Sequence, residues 1–155
     1  HVRHVALIVM DELKIMDSAL IIGALLHDSL EDTQDITADL IEHSFGGEVT
    51  QLVMLLSKIP KEGYHERLLN CNNWKVVVLK LCDRLDNLRS LMVPGTTLEF
   101  QKKQIKETKE IYYPLFDRLL TICPEKNINN ILPLRDEVRR LIERYSTIIE
   151  LQEAV

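Results

Sequence analysis

Apolar side chains return at helical intervals along nearly the whole chain. In the first fifteen residues Val2, Val5, Ala6, Val9, Met10 and Leu13 follow the spacing of a helix that buries one face. Asp17-Ser18 has the residue types of an N-cap and opens an apolar run, 19–26, that ends on His27-Asp28. Thr37 is placed to cap a short helix through Ser44-Phe45, closed by Gly46-Gly47. A helix over about 48–57 is expected next, ended by Pro60, and then a short one over 64–69 bearing Arg67. Residues 74–92 are the most apolar helix candidate. The Val76-Val-Val-Leu79 stretch has strand propensity, but Lys80-Leu-Cys-Asp-Arg-Leu-Asp-Asn-Leu-Arg-Ser90 keeps the helical period, and the two together predict one long buried helix. After Pro94-Gly95 a helix over 98–122 carries Pro114, which should kink it or mark a join. Residues 127–133 read as a connection, and 134–151 as a last helix with Leu134, Val138, Leu141, Ile142, Tyr145, Ile148 and Ile149 on its apolar side. The whole pattern is all-α.

Composition narrows the class. A chain of 155 residues, 46% hydrophobic and 28% charged, is expected to form a single domain, 1–155, with a substantial core. Five glycines, five prolines and 5% aromatics disfavour a sandwich of many short strands. The net charge of −5 gives no basic surface for nucleic acid or anionic lipid. A phosphate-bearing ligand must then be met by a local metal or a few local cations. Cys71, Cys82 and Cys123 are odd in number and far apart, which fits neither a disulfide framework nor zinc-finger spacing. A reducing, cytoplasmic setting is expected, with no membrane partner, since no apolar stretch reaches spanning length and no secretory signal is visible. The oligomeric state stays open.

The chemistry concentrates at Gly23-Ala-Leu-Leu-His-Asp-Ser-Leu-Glu-Asp-Thr33. Core packing gives no reason for four ionisable residues at the end of an apolar run, and buried charge needs partners. A divalent metal would supply them for His27, Asp28, Glu31 and Asp32, with a carboxylate left to take a proton from an attacking water. On a continuous helix residues 27 and 31 share a face at i, i+4. The alternative is a polar helix end with ordinary surface carboxylates. Asp83, inside an otherwise apolar helix, also needs a partner, and Asn87 and Ser90 follow it at i+4 and i+7. His1 precedes Val5 by one turn on the same stripe and could reach the core that holds His27. His4 falls off that register and reads as surface, Asp86 as a solvated helix charge, and His43 and His65 have no supporting context.

Three separated stretches agree with one family. His1-x-x-x-Val5-Ala6, Ala24-Leu-Leu-His-Asp-Ser-Leu-Glu-Asp-Thr33 and the string from Val78 to Leu91 together resemble the hydrolase domain of the RelA/SpoT homologues, within the HD-domain metal-dependent phosphohydrolases. Phe45-Gly46, Leu56-Ser-Lys-Ile59 and Glu107-Thr-Lys-Glu-Ile-Tyr-Tyr-Pro-Leu115 also look like family text, so the resemblance covers about 1–120, with 134–151 completing the bundle. The resemblance implies an all-α HD-domain fold and metal ligands at His1, His27, Asp28 and Asp83, usually around Mn2+. It implies that Glu31 and Asp32 orient and deprotonate the attacking water, and that Asn87 and Ser90 hold the nucleoside. The implied reaction is hydrolysis of the 3′-pyrophosphate of ppGpp or pppGpp, a small-molecule nucleotide substrate, to GDP or GTP and pyrophosphate. Lys58, Lys61 and Lys103 are candidates to meet phosphate charge, with a solvated surface role as the alternative. Val2 stands where the family usually has proline, and the family's upstream basic helix and synthetase half lie outside this sequence. Other HD-domain nucleotide phosphohydrolases, a nucleotide-binding regulatory domain and a buried structural metal site are the competing readings.

Overall fold

Asp17, Thr37 and Thr97 each turn a side-chain oxygen onto the backbone N–H three residues on, at 2.9, 3.2 and 3.2 Å, and a helix starts after each. Asn73 does the same for Lys75 N–H at 3.1 Å. The computed structural model describes residues 1–154, which contain helices and no strand. In chain order the helices are α1 Val2–Leu7, α2 Ser18–Leu26, α3 Ser29–Asp32, α4 Ala38–Phe45, α5 Gly47–Leu56, α6 Tyr64–Leu69, α7 Trp74–Arg89, α8 Leu98–Glu107, α9 Tyr113–Ile122 and α10 Glu125–Glu153. π-helical turns prolong α1 over Ile8–Glu12 and join α8 to α9 over Thr108–Tyr112.

The bundle is arranged around α7, which packs against α1, α2, α5, α9 and α10. Every residue from 76 to 85 is buried, as expected of a helix apolar on nearly all sides. Gly23 lets α2 come close: a Cβ there would lie 3.1 Å from Leu79 Cδ1 and 3.4 Å from Leu52 Cδ1. Gly46, at φ 85°, takes a left-handed conformation that separates α4 from α5.

The structure departs from the sequence expectations at three joints. The run into His27-Asp28 does not continue as one helix, because α2 stops at Leu26 and α3 begins at Ser29. The long central helix ends at Arg89 rather than Met92. Pro114 marks a join, as expected, lying where α9 begins immediately after the π-helical turn. The expected connection 127–133 is helical, and the last helix starts at Glu125 instead of Leu134, running through Pro133. Asn127, Ile131 and Leu134 are buried on one side of that segment. Pro133 and Asn129, whose carbonyl loses its partner, face solvent. Tertiary anchoring therefore overrides the local cost of an interior proline.

Candidate active site

The end of α2 delivers His27 into the core, 3% exposed. Its Nδ1 donates to the Ala24 carbonyl at 2.8 Å, which makes Nε2 the lone-pair nitrogen of the neutral ring. That Nε2 is buried and makes no hydrogen bond. It lies 3.1 Å from Asp28 Oδ2 and 3.8 Å from Asp83 Oδ1, aimed between two carboxylates rather than at one. His1 stands across from it with its Nε2 2.9 Å from Asp83 Oδ1 and 3.9 Å from Asp28 Oδ2. The two imidazoles meet edge to face, their centroids 5.3 Å apart.

His1, His27 and Asp83 each offer a ligand atom, all within 4.8 Å of one another, and Asp28 borders the same point. Two imidazole nitrogens and carboxylate oxygens form a donor set suited to a divalent ion. A buried imidazole nitrogen with no hydrogen-bond partner has the chemistry of a metal ligand. The fit is good.

Electrostatics agree. Burial opposes charge on His27, but Asp28 and Asp83 outweigh it and push its pKa up to about 10. The Asp83 carboxylate likewise raises His1 against burial, with Asp86 adding to the effect. Burial would raise Asp83; His1, His27 and Lys80 together hold it well below the ordinary carboxylate range. His27 lowers Asp28. The carboxylates of the cluster therefore favour positive charge at its centre.

Asp83 is held from two further directions. Lys80, buried one turn earlier, places its ammonium 2.7 Å from Asp83 Oδ2, and Asn87 Nδ2 donates to Asp83 Oδ1 at 2.8 Å. Asn87 thus contacts a candidate ligand as well as bordering open space. It and Ser90 form a ridge between two cavities. One, of about 500 Å³, is lined by Lys58, Lys80, Asp83 and Arg84 among others. The second, of about 650 Å³, is lined by His1, His4, Glu12 and Asp86. Lys103 lies apart from Asp83, in an adjoining cavity of about 630 Å³ that shares Lys58 and also contains Lys61 and Lys106.

Glu31 and Asp32 are exposed on α3, their N–H groups bonded to the Asp28 carbonyl at 2.9 and 3.0 Å. The Glu31 carboxylate accepts the Lys58 N–H at 2.8 Å, which fixes it beside the residue that opens the 500 Å³ cavity.

The structure corrects the reading of Asp86 as a solvated helix charge, its side chain being 14% exposed, whereas His4 lies on the surface as expected. Asp86 Oδ2 is 2.7 Å from His1 Nδ1, and Oδ1 is 3.3 Å from His4 Nδ1. Two i, i+3 spacings, 1 to 4 and 83 to 86, were the available signal, since residues so spaced share a helix face. His65, read as lacking context, lies 3.2 Å from Glu107 Oε1. Arg84 reaches the same oxygen at 3.2 Å and stacks 3.8 Å over the Tyr112 ring.

A family model described as an HD domain matches residues 1–67. The guanosine-3′,5′-bis(diphosphate) 3′-pyrophosphohydrolase of Aquifex aeolicus is 45% identical over 113 residues, 67% of this chain and 16% of that protein. The probable enzyme of the same name from Mycoplasma pneumoniae is 37% identical over 148 residues, 76% of this chain and 20% of its own length. The chain thus spans about a fifth or less of these curated relatives. A solved structure described as a metazoan ortholog of SpoT that hydrolyzes ppGpp superposes with a TM-score of 0.69 at 30% identity, covering 90% of this chain and 79% of that one. With its all-α HD-domain fold and this likeness along most of its length, the chain belongs to the RelA/SpoT homologue family, in the HD-domain hydrolase portion of that family.

Proposed function

We propose that the chain is a metal-dependent phosphohydrolase that removes the 3′-pyrophosphate of guanosine alarmones, giving GDP or GTP and pyrophosphate. The carrying observation is the convergence of His1, His27, Asp28 and Asp83 beside a cavity with cationic walls, in a chain whose relatives are named for that hydrolysis. On this reading the four residues hold the divalent ion, Mn2+ in the first instance, and 1–155 works as one unit with α10 closing the bundle. When bound, such an ion acts as a Lewis acid and lowers the pKa of water.

The bond to be broken joins the ribose 3′ oxygen to its phosphorus. Water provides hydroxyl to the phosphorus and a proton to the leaving oxygen. Glu31, held by the Lys58 N–H, accepts the proton from the attacking water, with Asp32 orienting it. Lys80 and Asn87 keep Asp83 turned toward the ion rather than toward solvent. Asn87 and Ser90, on the ridge between the cavities, take the nucleoside, while Lys58 and Lys103 neutralise phosphate charge. Lys103, in the adjoining cavity, would meet the more distant phosphates.

The test is product analysis from ppGpp with and without added Mn2+, alongside deoxynucleoside monophosphates, cyclic nucleotides and a nicotinamide dinucleotide phosphate. GDP and pyrophosphate in equal amounts, dependent on the ion, are the expected result. Preference for a compound without a 3′-pyrophosphate would retain phosphohydrolysis and discard the alarmone.

A further inference from the structure

His1 is the more loosely packed of the two histidines in the cluster. Its side chain is 35% exposed, against 3% for that of His27. Packing fixes the His27 ring, and a backbone carbonyl holds its Nδ1. The His1 ring can swing unless something holds its own Nδ1, and the group placed there is Asp86, 2.7 Å away. Both ring nitrogens face a carboxylate, Nδ1 at 2.7 Å from Asp86 and Nε2 at 2.9 Å from Asp83; with Nδ1–H donated to Asp86, Nε2 is the nitrogen that can offer a lone pair beside Asp83. The other Asp86 oxygen lies 3.3 Å from Nδ1 of the exposed His4. The Asp86 side chain is only 14% exposed, so the pair is partly shielded from water and salt.

We propose that Asp86 is a positioning residue of the metal centre: it fixes the tautomer and rotation of His1 so that Nε2 is presented to the ion. This rests on the metal reading of the site above. Carboxylates in this position orient and strengthen a histidine ligand, and their removal costs 10- to 100-fold in metal affinity. The helices place the four groups without strain, since residues 1 and 4 span one turn at α1 and residues 83 and 86 one turn of α7.

The experiment is a Mn2+ titration of the wild type, Asp86→Ala, Asp86→Asn and His4→Ala, with free ion read by electron paramagnetic resonance. Visible absorption of the Co2+-loaded proteins reports ligand geometry. Asp86→Ala should bind Mn2+ roughly 10- to 100-fold more weakly, with shifted Co2+ bands. Asp86→Asn, which keeps an acceptor oxygen without the charge, should fall between Ala and the wild type, and His4→Ala should show the smallest loss. Unchanged affinity and spectrum in Asp86→Ala overturn the inference while leaving the metal centre standing. A lowered melting temperature of the metal-free protein with unchanged affinity overturns it too, because an ordinary structural ion pair would do that. If the Ala variant does not fold, Asp86→Leu removes the acceptor at similar volume and is read by the same criteria. A wild type that takes up neither ion overturns the metal reading and this inference with it.

Discussion

Asp83 answers to Lys80, Asn87, His1 and His27 at once. Its removal therefore has two separable effects. Asp83→Ala should abolish metal uptake and turnover. It also strands the Lys80 ammonium, 3% exposed, without its counter-charge, which costs about 3–5 kcal/mol and should be visible as a lowered midpoint in chemical denaturation. Glu31 has no such structural burden. Glu31→Gln should keep its Lys58 contact through the amide oxygen, bind Mn2+ as the wild type does, and lose roughly 10²- to 10⁴-fold in turnover. Full activity in that variant would move the proton-accepting role to Asp32. At this scale the ligand candidates were legible because charge inside an apolar pattern demands an explanation. Asp86 was not legible, since its sequence neighbours on α7 include solvent-facing polar residues and its partners come from residue 1 and α1, more than eighty positions away.

At the scale of elements, local signals served well where a cap or a break decides the matter. Asp17 and Thr37 cap helices as read, and α6 occupies the predicted span. They failed at Pro133, because no local rule knows that Ile131 and Leu134 will be buried on either side of it. Gly23 shows how an element boundary becomes a functional constraint. Gly23→Ala sets a methyl 3.1 Å from Leu79 Cδ1 and 3.4 Å from Leu52 Cδ1, so those side chains give by a few tenths of an ångström or α2 retreats from α7, at about 1–3 kcal/mol. Because α2 leads into His27 and α7 carries Asp83, Mn2+ affinity should fall with stability, measured by titration and urea denaturation on the same preparation. Retained affinity would mean that the far end of α2 moves independently of its middle. The long helix α10 is tied to α7 by Tyr145, whose hydroxyl donates to the Leu88 carbonyl at 3.0 Å. Tyr145→Phe should cost about 1 kcal/mol and leave metal affinity alone.

For the molecule as a whole, the site couples folding to pH and to ions. Against burial, Asp28 and Asp83 push the His27 pKa up to about 10, above its ordinary 6.5. The stability this contributes is complete below about 6.5 and is lost as pH rises through about 10. A metal ligand must be deprotonated, so ion uptake at neutral pH expels that proton and apparent affinity rises with pH. Calorimetric titrations in buffers of different ionisation enthalpy should register the released proton; equal heats in all buffers would contradict it. Saturating Mn2+, at 100 times the dissociation constant, should stabilise the fold by about 2.7 kcal/mol, reversed by a chelator. The unequal burial of α7 and α3 has a consequence in time. Asp83 belongs to a helix with a run of ten buried residues, whereas Glu31 and Asp32 ride on four residues of which none is buried. Opening free energies in one protein range from nearly nothing up to the global value. The amides of α3 should thus trade protons for deuterons orders of magnitude sooner than those of α7. Glu31 and Asp32, the carboxylates proposed to handle the proton, would then open and close many times in the interval in which Asp83 stays in place.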